Sequence, residues 1–118
     1  MADAFKIVSL YSGCGGMDLG FHKEGFELVW ANDIDEHACR TYRNFFGSHI
    51  VEGSIADADL SKIPDCDLVL GGFPCQDFSM IWKRGGVNTD RGNLYRYLVE
   101  VVNLKNPLMF VAENVKGL

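Results

Sequence analysis

Residues 5–33 read FKIVSLYSGCGGMDLGFHKEGFELVWAND. Phe5 to Leu10 is an apolar run of strand length, and Tyr11 to Gly16 is a glycine-rich turn. Met17 to Lys23 is a short helix candidate, and Phe26 to Ala31 is a second strand-length run that leads into Asp33. The glycines at 13, 15 and 16 let backbone N–H groups approach a ligand closely, and the start of the helix behind them favours an anionic group. Against the dinucleotide pattern G-x-G-x-x-G the fit is partial: Gly13 and Gly15 match, the third position is Asp18, and the next glycine is Gly20. A plain tight turn therefore stays open. Asp33 lies 20 residues after Gly13, where a carboxylate is placed to accept hydrogen bonds from ribose hydroxyls. It also reads as a helix N-cap, forming a capping box with Glu36. Turn and acid together point to a ligand that contains a nucleoside.

The alternation continues outward from this unit. Asp33 to Phe46 carries apolar residues at 38, 42, 45 and 46, one face of a helix, and Gly47 stops it. His49 to Glu52 and Asp67 to Leu70 read as third and fourth strands. Gly92 to Lys105 shows a helical face at 94, 98, 101 and 102, Pro107 ends it, and Leu108 to Ala112 is a fifth strand. Alternating strands and helices predict an α/β fold: an open, doubly wound, mostly parallel sheet of about five strands covered by helices on both faces. Ligands of such sheets bind outside the carboxyl ends of the strands. Leu108 to Ala112 is expected at a sheet edge.

Composition sets the outer limits. The chain has 118 residues, 47% hydrophobic and 23% charged, which suits one globular domain and excludes wholesale disorder. No apolar run approaches the roughly 20 residues of a membrane span, and the start, Met1-Ala2-Asp3-Ala4, has no secretory pattern. No membrane partner and a cytoplasmic location are the expectation. The net charge of −5 argues against a phosphate-gripping surface, but Lys83 to Arg96 holds four basic residues and one acid. That window reads either as a solvated loop and helix start or as a contact for phosphate. The cysteines at 14, 39, 66 and 75 form no C-x-x-C pair, and His22, His37 and His49 lack zinc-ligand spacing, so no metal is expected.

Two further strand ends carry chemistry. Gly71-Gly72-Phe73-Pro74-Cys75-Gln76 follows the fourth strand, with Pro74 constraining the chain before Cys75. Backbone N–H groups or a helix start could support a thiolate there. Spacing alone leaves a nucleophile and a structural thiol equally open. Glu113-Asn114 follows the fifth strand. If the parallel strands share one edge, Glu113 and Cys75 face the same crevice as acid–base partner and thiol; a solvated strand end is the alternative.

Several strings resemble, in order, the motifs of the cytosine-C5 DNA methyltransferase family: LYSGCGGMDLGF, WANDID, GSI, GGFPCQDFS, DRGNL and AENVKGL. They cover nearly the whole chain, and PCQ followed by ENV on neighbouring strand ends is the most specific pair. The resemblance implies a Rossmann-like, S-adenosylmethionine-dependent fold. By that resemblance Cys75 attacks C6 of a flipped-out cytosine, and Glu113 contacts N3 and the exocyclic amine. Pro74 and Gln76 shape the loop, and Asn114 supports Glu113. Tyr11, Gly13, Cys14, Gly15, Gly16, Asp33, Ile34, Ser54, Ile55 and Leu94 belong to the S-adenosylmethionine site, and the loop from Ile81 to Arg91 closes over DNA.

The pattern departs from the family in places. Ser54 stands where an acid that binds the adenine amino group is usual, Ile34 where an aromatic is frequent, and the acid often found near Ser9 is missing. The family also continues beyond the sixth motif, so residues 1–118 are expected to be the N-terminal part of a catalytic domain truncated at its C-terminal side. The target-recognition domain is then missing, and the isolated fragment is expected to be inactive. The expected partners are duplex DNA, S-adenosylmethionine and a complementary C-terminal chain, in a restriction–modification setting. A tRNA cytosine-C5 methyltransferase and a non-catalytic or split subunit are the competing readings.

Overall fold

The computed structural model of the chain describes residues 4–72 and 94–113, with side chains from residue 96 onward in the second span. Pro74, Cys75, Gln76, Asn114, the loop from Ile81 to Arg91, most of the basic window and the side chain of Leu94 lie outside the described residues. The strands are β1 (Lys6–Leu10), β2 (Glu27–Asp33), β3 (Ile50–Glu52), β4 (Leu68–Gly72) and β5 (Met109–Glu113). They form a sheet in the order β3-β2-β1-β4-β5, and each neighbouring pair is parallel. The described helices are α1 (Gly16–Lys23), α2 (Glu36–Phe46) and α3 (Leu94–Lys105), with short 3-10 turns at Ile55–Asp57 and Leu60–Lys62. The sequence did not signal those two turns, because each is a single turn capped by a side chain, Ser54 onto Ala56 N and Asp59 onto Ser61 N.

Side-chain alternation along β1 builds the layers. Val8 and Leu10 face one side and pack with Val69 of β4 and with Leu98 and Val101 of α3. Ile7 faces the other side and packs with Leu68 and Leu70, with Met17 and Phe21 of α1 beside them. Helices therefore cover both faces, as the near-continuous apolar runs of the central strands require. No helix among the described residues is long and apolar enough to cross a membrane.

The helix expected from Asp33 starts later. Asn32 and Asp33 pair with Val51 and Glu52, so β2 runs on to Asp33. Asp35, not Asp33, is the N-cap of α2; its carboxylate accepts from His37 N at 2.8 Å and Ala38 N at 3.2 Å. That start turns Cys39, Tyr42 and Phe46 toward the sheet and leaves Phe45 66% exposed, against the expected inward face. Gly47 ends the helix at φ 124°, a region closed to most L-residues. β5 lies at the sheet edge, with Met109 and Phe110 exposed.

A polar chain crosses the interior under α1. Asp18 is 1% exposed and accepts from Ser9 Oγ of β1 at 2.9 Å and from Tyr42 Oη of α2 at 3.1 Å. Tyr42 Oη also lies 2.9 Å from His49 Nε2, so with Tyr42 donating to Asp18, the His49 Nε2–H donates to Tyr42. Burial pushes the Asp18 carboxyl above the usual carboxylate range, against the hydrogen bonds from Ser9 and Tyr42, which pull it down. Burial likewise lowers the His49 imidazole and raises the Tyr42 phenol.

A raised folded pKa means that the contribution of Asp18 to stability is full below its unfolded value of 3.8 and is lost as pH rises through the folded value. Asp18→Asn is neutral throughout. In urea denaturation across that window, the native protein is expected to lose stability relative to Asp18→Asn as pH rises; a relative gain would contradict the assignment.

Candidate functional site

Strand order reverses at β1: the chain runs β1, β2, β3 to one side and returns to place β4 on the other. A parallel sheet leaves a crevice outside the carboxyl ends of its strands at such a reversal. Here it is a cleft of about 200 Å³, lined by Tyr11 after β1, by Asn32, Asp33 and Ile34 at the end of β2, by Gly53, Ser54 and Ile55 after β3, and by Gly72 at the end of β4.

The wall after β1 is the glycine-rich turn. Gly13 has φ 59°, and Tyr11 has φ 55°, an unusual conformation for an aromatic residue that is held at the mouth of the cleft. The Gly13 N–H donates to Asp33 Oδ2 at 2.8 Å, and the Asp35 N–H donates to Asp33 Oδ1 at 2.8 Å. Asp33 thus ties the turn to the end of β2, and each oxygen keeps a lone pair for a ligand hydroxyl. A Cβ on Gly13 would meet nothing within 4 Å, so the turn offers open space on that side.

The wall after β3 combines a polar rim with an apolar floor. Ser54 Oγ accepts from Ala56 N at 3.2 Å and keeps its own proton to donate. Ile55 is buried in the core cluster, whereas Ile34 is 72% exposed at the rim. Asn32 of β2 and Gly53 after β3, quoted in the sequence within WANDID and GSI but given no role, also line the cleft.

Cys14, Gly15 and Gly16 stand elsewhere. With Leu19, Thr41, Phe45 and Phe46 they line a separate hollow between α1 and α2. A Cβ on Gly15, at φ 96°, would lie 2.3 Å from the Phe46 ring and 3.0 Å from Tyr42. Glycine at 15 serves helix packing, a contact that glycine spacing alone does not reveal.

On the other flank of the cleft, Gly72 pairs with Glu113 across β4 and β5. The Glu113 carboxylate is exposed, and its Oε2 lies 3.2 Å from the place a Cβ on Gly72 would take. Glu113 therefore sits at the carboxyl edge, over the strand end from which Cys75 follows three residues later. The described thiols at 39 and 66 are poor nucleophiles. The Cys39 thiol donates to Asp33 O at 3.3 Å and is pushed up by burial and the nearby Asp33 charge; burial lifts Cys66 to about 11. Among the described residues no group of three or more His, Cys, Asp and Glu could hold a metal ion.

A family model for C-5 cytosine-specific DNA methylase matches residues 5–118. The chain is similar to the Type II methyltransferase M.NgoFVII of Neisseria gonorrhoeae, 59% identical over 115 residues that cover 96% of this chain and 31% of the relative. Among solved structures it resembles one from Escherichia coli, described as a DNA modification methyltransferase encoded within a prophage. That match has TM-score 0.75 at 31% identity and covers 97% of this chain and 33% of the other. It also resembles the S. pombe Dnmt2 methyltransferase, with TM-score 0.72 at 27% identity, covering 96% and 37%. The chain thus spans about a third of the length of these relatives.

The two glycines should respond differently to alanine. Gly13→Ala meets only the cost of a left-handed backbone, about 1–3 kcal/mol. Gly15→Ala adds a clash with Phe46 and Tyr42, about 1–3 kcal/mol more. Chemical denaturation is expected to rank Gly15→Ala as the less stable; the reverse order would contradict the packing role.

Proposed function

Because the chain belongs to the C-5 cytosine-specific DNA methylase family, we propose that residues 1–118 form the N-terminal, cofactor-binding part of the catalytic domain of a DNA (cytosine-5-)-methyltransferase. Its substrates are S-adenosylmethionine and cytosine in duplex DNA, and its setting is restriction–modification in a prokaryotic cytoplasm. Segments equivalent to the remainder of the relatives supply target recognition, so these 118 residues alone give no turnover. The observation that carries the reading is the register of Gly72 with Glu113 beside the cleft at the strand ends. It sets a carboxylate over the strand end that leads into Cys75.

The cleft suits the nucleoside part of the methyl donor. Asp33 retains lone pairs for ribose hydroxyls, Ser54 offers a hydroxyl to the base, and Tyr11, Ile34 and Ile55 offer apolar surface. Gly13 leaves room for close approach. Leu94, on the first turn of α3, completes the set. When bound, S-adenosylmethionine supplies an electrophilic methyl group.

Cytosine C5 is a weak nucleophile while the ring is aromatic, and covalent attack at C6 divides one hard step into easier ones. The Cys75 thiolate forms a bond to C6 while Glu113 binds N3 and the exocyclic amine and stabilises the adduct. Asn114 supports Glu113, and Pro74 and Gln76 shape the turn that carries the thiol. C5 takes the methyl group as the donor's sulfonium S–C bond breaks and S-adenosylhomocysteine leaves; C5 then loses its proton to water, and the Cys75–C6 bond breaks to restore the aromatic ring and free the thiolate. C6 is hidden inside a duplex, so the base is extruded first.

DNA carrying 5-fluorocytosine has no C5 proton to lose. The complete enzyme, with the methyl donor present, should therefore accumulate a denaturation-resistant adduct that Cys75→Ser abolishes. An adduct retained in Cys75→Ser would overturn the nucleophile, and methylation of tRNA but not duplex DNA would overturn the substrate. Glu113→Gln should lower kcat about 10²–10⁴-fold, the usual share of a positioned acid–base group.

A further inference from the structure

Asn32 bonds to two walls of the cleft at once. It is 2% exposed, at the cleft floor on β2. Its Nδ2 donates to Val51 O at 2.8 Å and to Gly53 O at 3.1 Å, using both amide hydrogens. Its backbone carbonyl accepts from the Ser12 N–H at 3.2 Å, in the glycine-rich turn. One residue thus links the turn after β1 to the loop after β3. Gly53 needs such a tether. At φ 134° it lies in a region closed to most L-residues, and a Cβ there would meet nothing within 4 Å. A second bond, Gly53 N to Asp33 O at 2.9 Å, fixes the loop from its other side.

Only an amide suits this geometry. Two carbonyl oxygens face Nδ2, and both are acceptors. A carboxylate in place of the amide would set negative oxygens against them. An aliphatic side chain would leave them without donors.

We propose that Asn32 is a positioning residue for the methyl-donor cleft: its side-chain amide fixes the loop that presents Ser54 and Ile55, and so sets the distance between that wall and the glycine-rich turn. The proposal rests on the reading of the cleft given above. Asn32 acts through the walls that touch the ligand.

The test is calorimetric binding of S-adenosylhomocysteine to the full-length protein. Asn32→Asp should weaken binding at least tenfold. Gly53→Ala disturbs the same bond from the acceptor's side and should also weaken it. The double variant should bind no worse than the poorer single variant, because the bond that Gly53→Ala disturbs is already lost in Asn32→Asp. Ile7→Val, in the core on the opposite face of the sheet, lowers stability without touching either wall and should bind as the native protein does. If Asn32→Asp fails to fold, Gly53→Ala alone decides: unchanged affinity overturns the clamp. Additive losses in the double variant, or Asn32→Asp binding within twofold of the native protein, also overturn it. Native protein that does not bind overturns the reading of the cleft and the clamp with it, whereas equal binding by native protein and variants overturns the clamp alone.

Discussion

β1 is bonded on both sides, to β2 and to β4, and the chain changes direction across the sheet there. Every feature of the candidate site depends on that placement. Because all pairings are parallel, the ends of β1, β2, β3 and β4 reach the same edge, and residues far apart in the chain form one cleft. The burial of Val8, Leu10, Val69 and Leu70 makes the sheet a rigid platform. The loops above it are then held by a few directed bonds, chiefly Gly13 to Asp33 and Asn32 to Gly53.

Most of the fold was legible. Apolar runs of strand length alternate with helical periodicity, and the strands fall within a residue or two of their expected limits. The start of α2 was not legible, because Asp33 and Asp35 both suit an N-cap. The choice is made by pairing of β2 with β3, a contact between residues about twenty apart that local pattern does not carry. The burial of Cys39 in place of Phe45 follows from the same shift.

Legibility of the site divides along the same line. Asp33 was visible because its distance from the glycines is a recurring geometry, and the structure joins the two directly. Gly15 carries a packing constraint that its spacing does not report: a Cβ is forbidden there, and the obstacle is the Phe46 ring. Asn32 was quoted only as part of WANDID, with no role, since its partners lie 19 and 21 residues away. Asp18 was noticed only as a failed glycine, although its burial against Ser9 and Tyr42 links β1, α1 and α2. The part assigned to Cys75 came from resemblance: one cysteine after Pro74 does not distinguish a nucleophile from a structural thiol.

In the proposed function, the cleft at the carboxyl ends of β1 to β4 holds the nucleoside of the methyl donor. A crystal structure of the protein with S-adenosylhomocysteine tests it most directly. The account predicts ribose hydroxyls within hydrogen-bond distance of the Asp33 carboxylate and the base between Ile34 and the Ser54–Ile55 wall. Density for the nucleoside in the hollow beside Cys14 and Phe46, with the cleft left open, would contradict it.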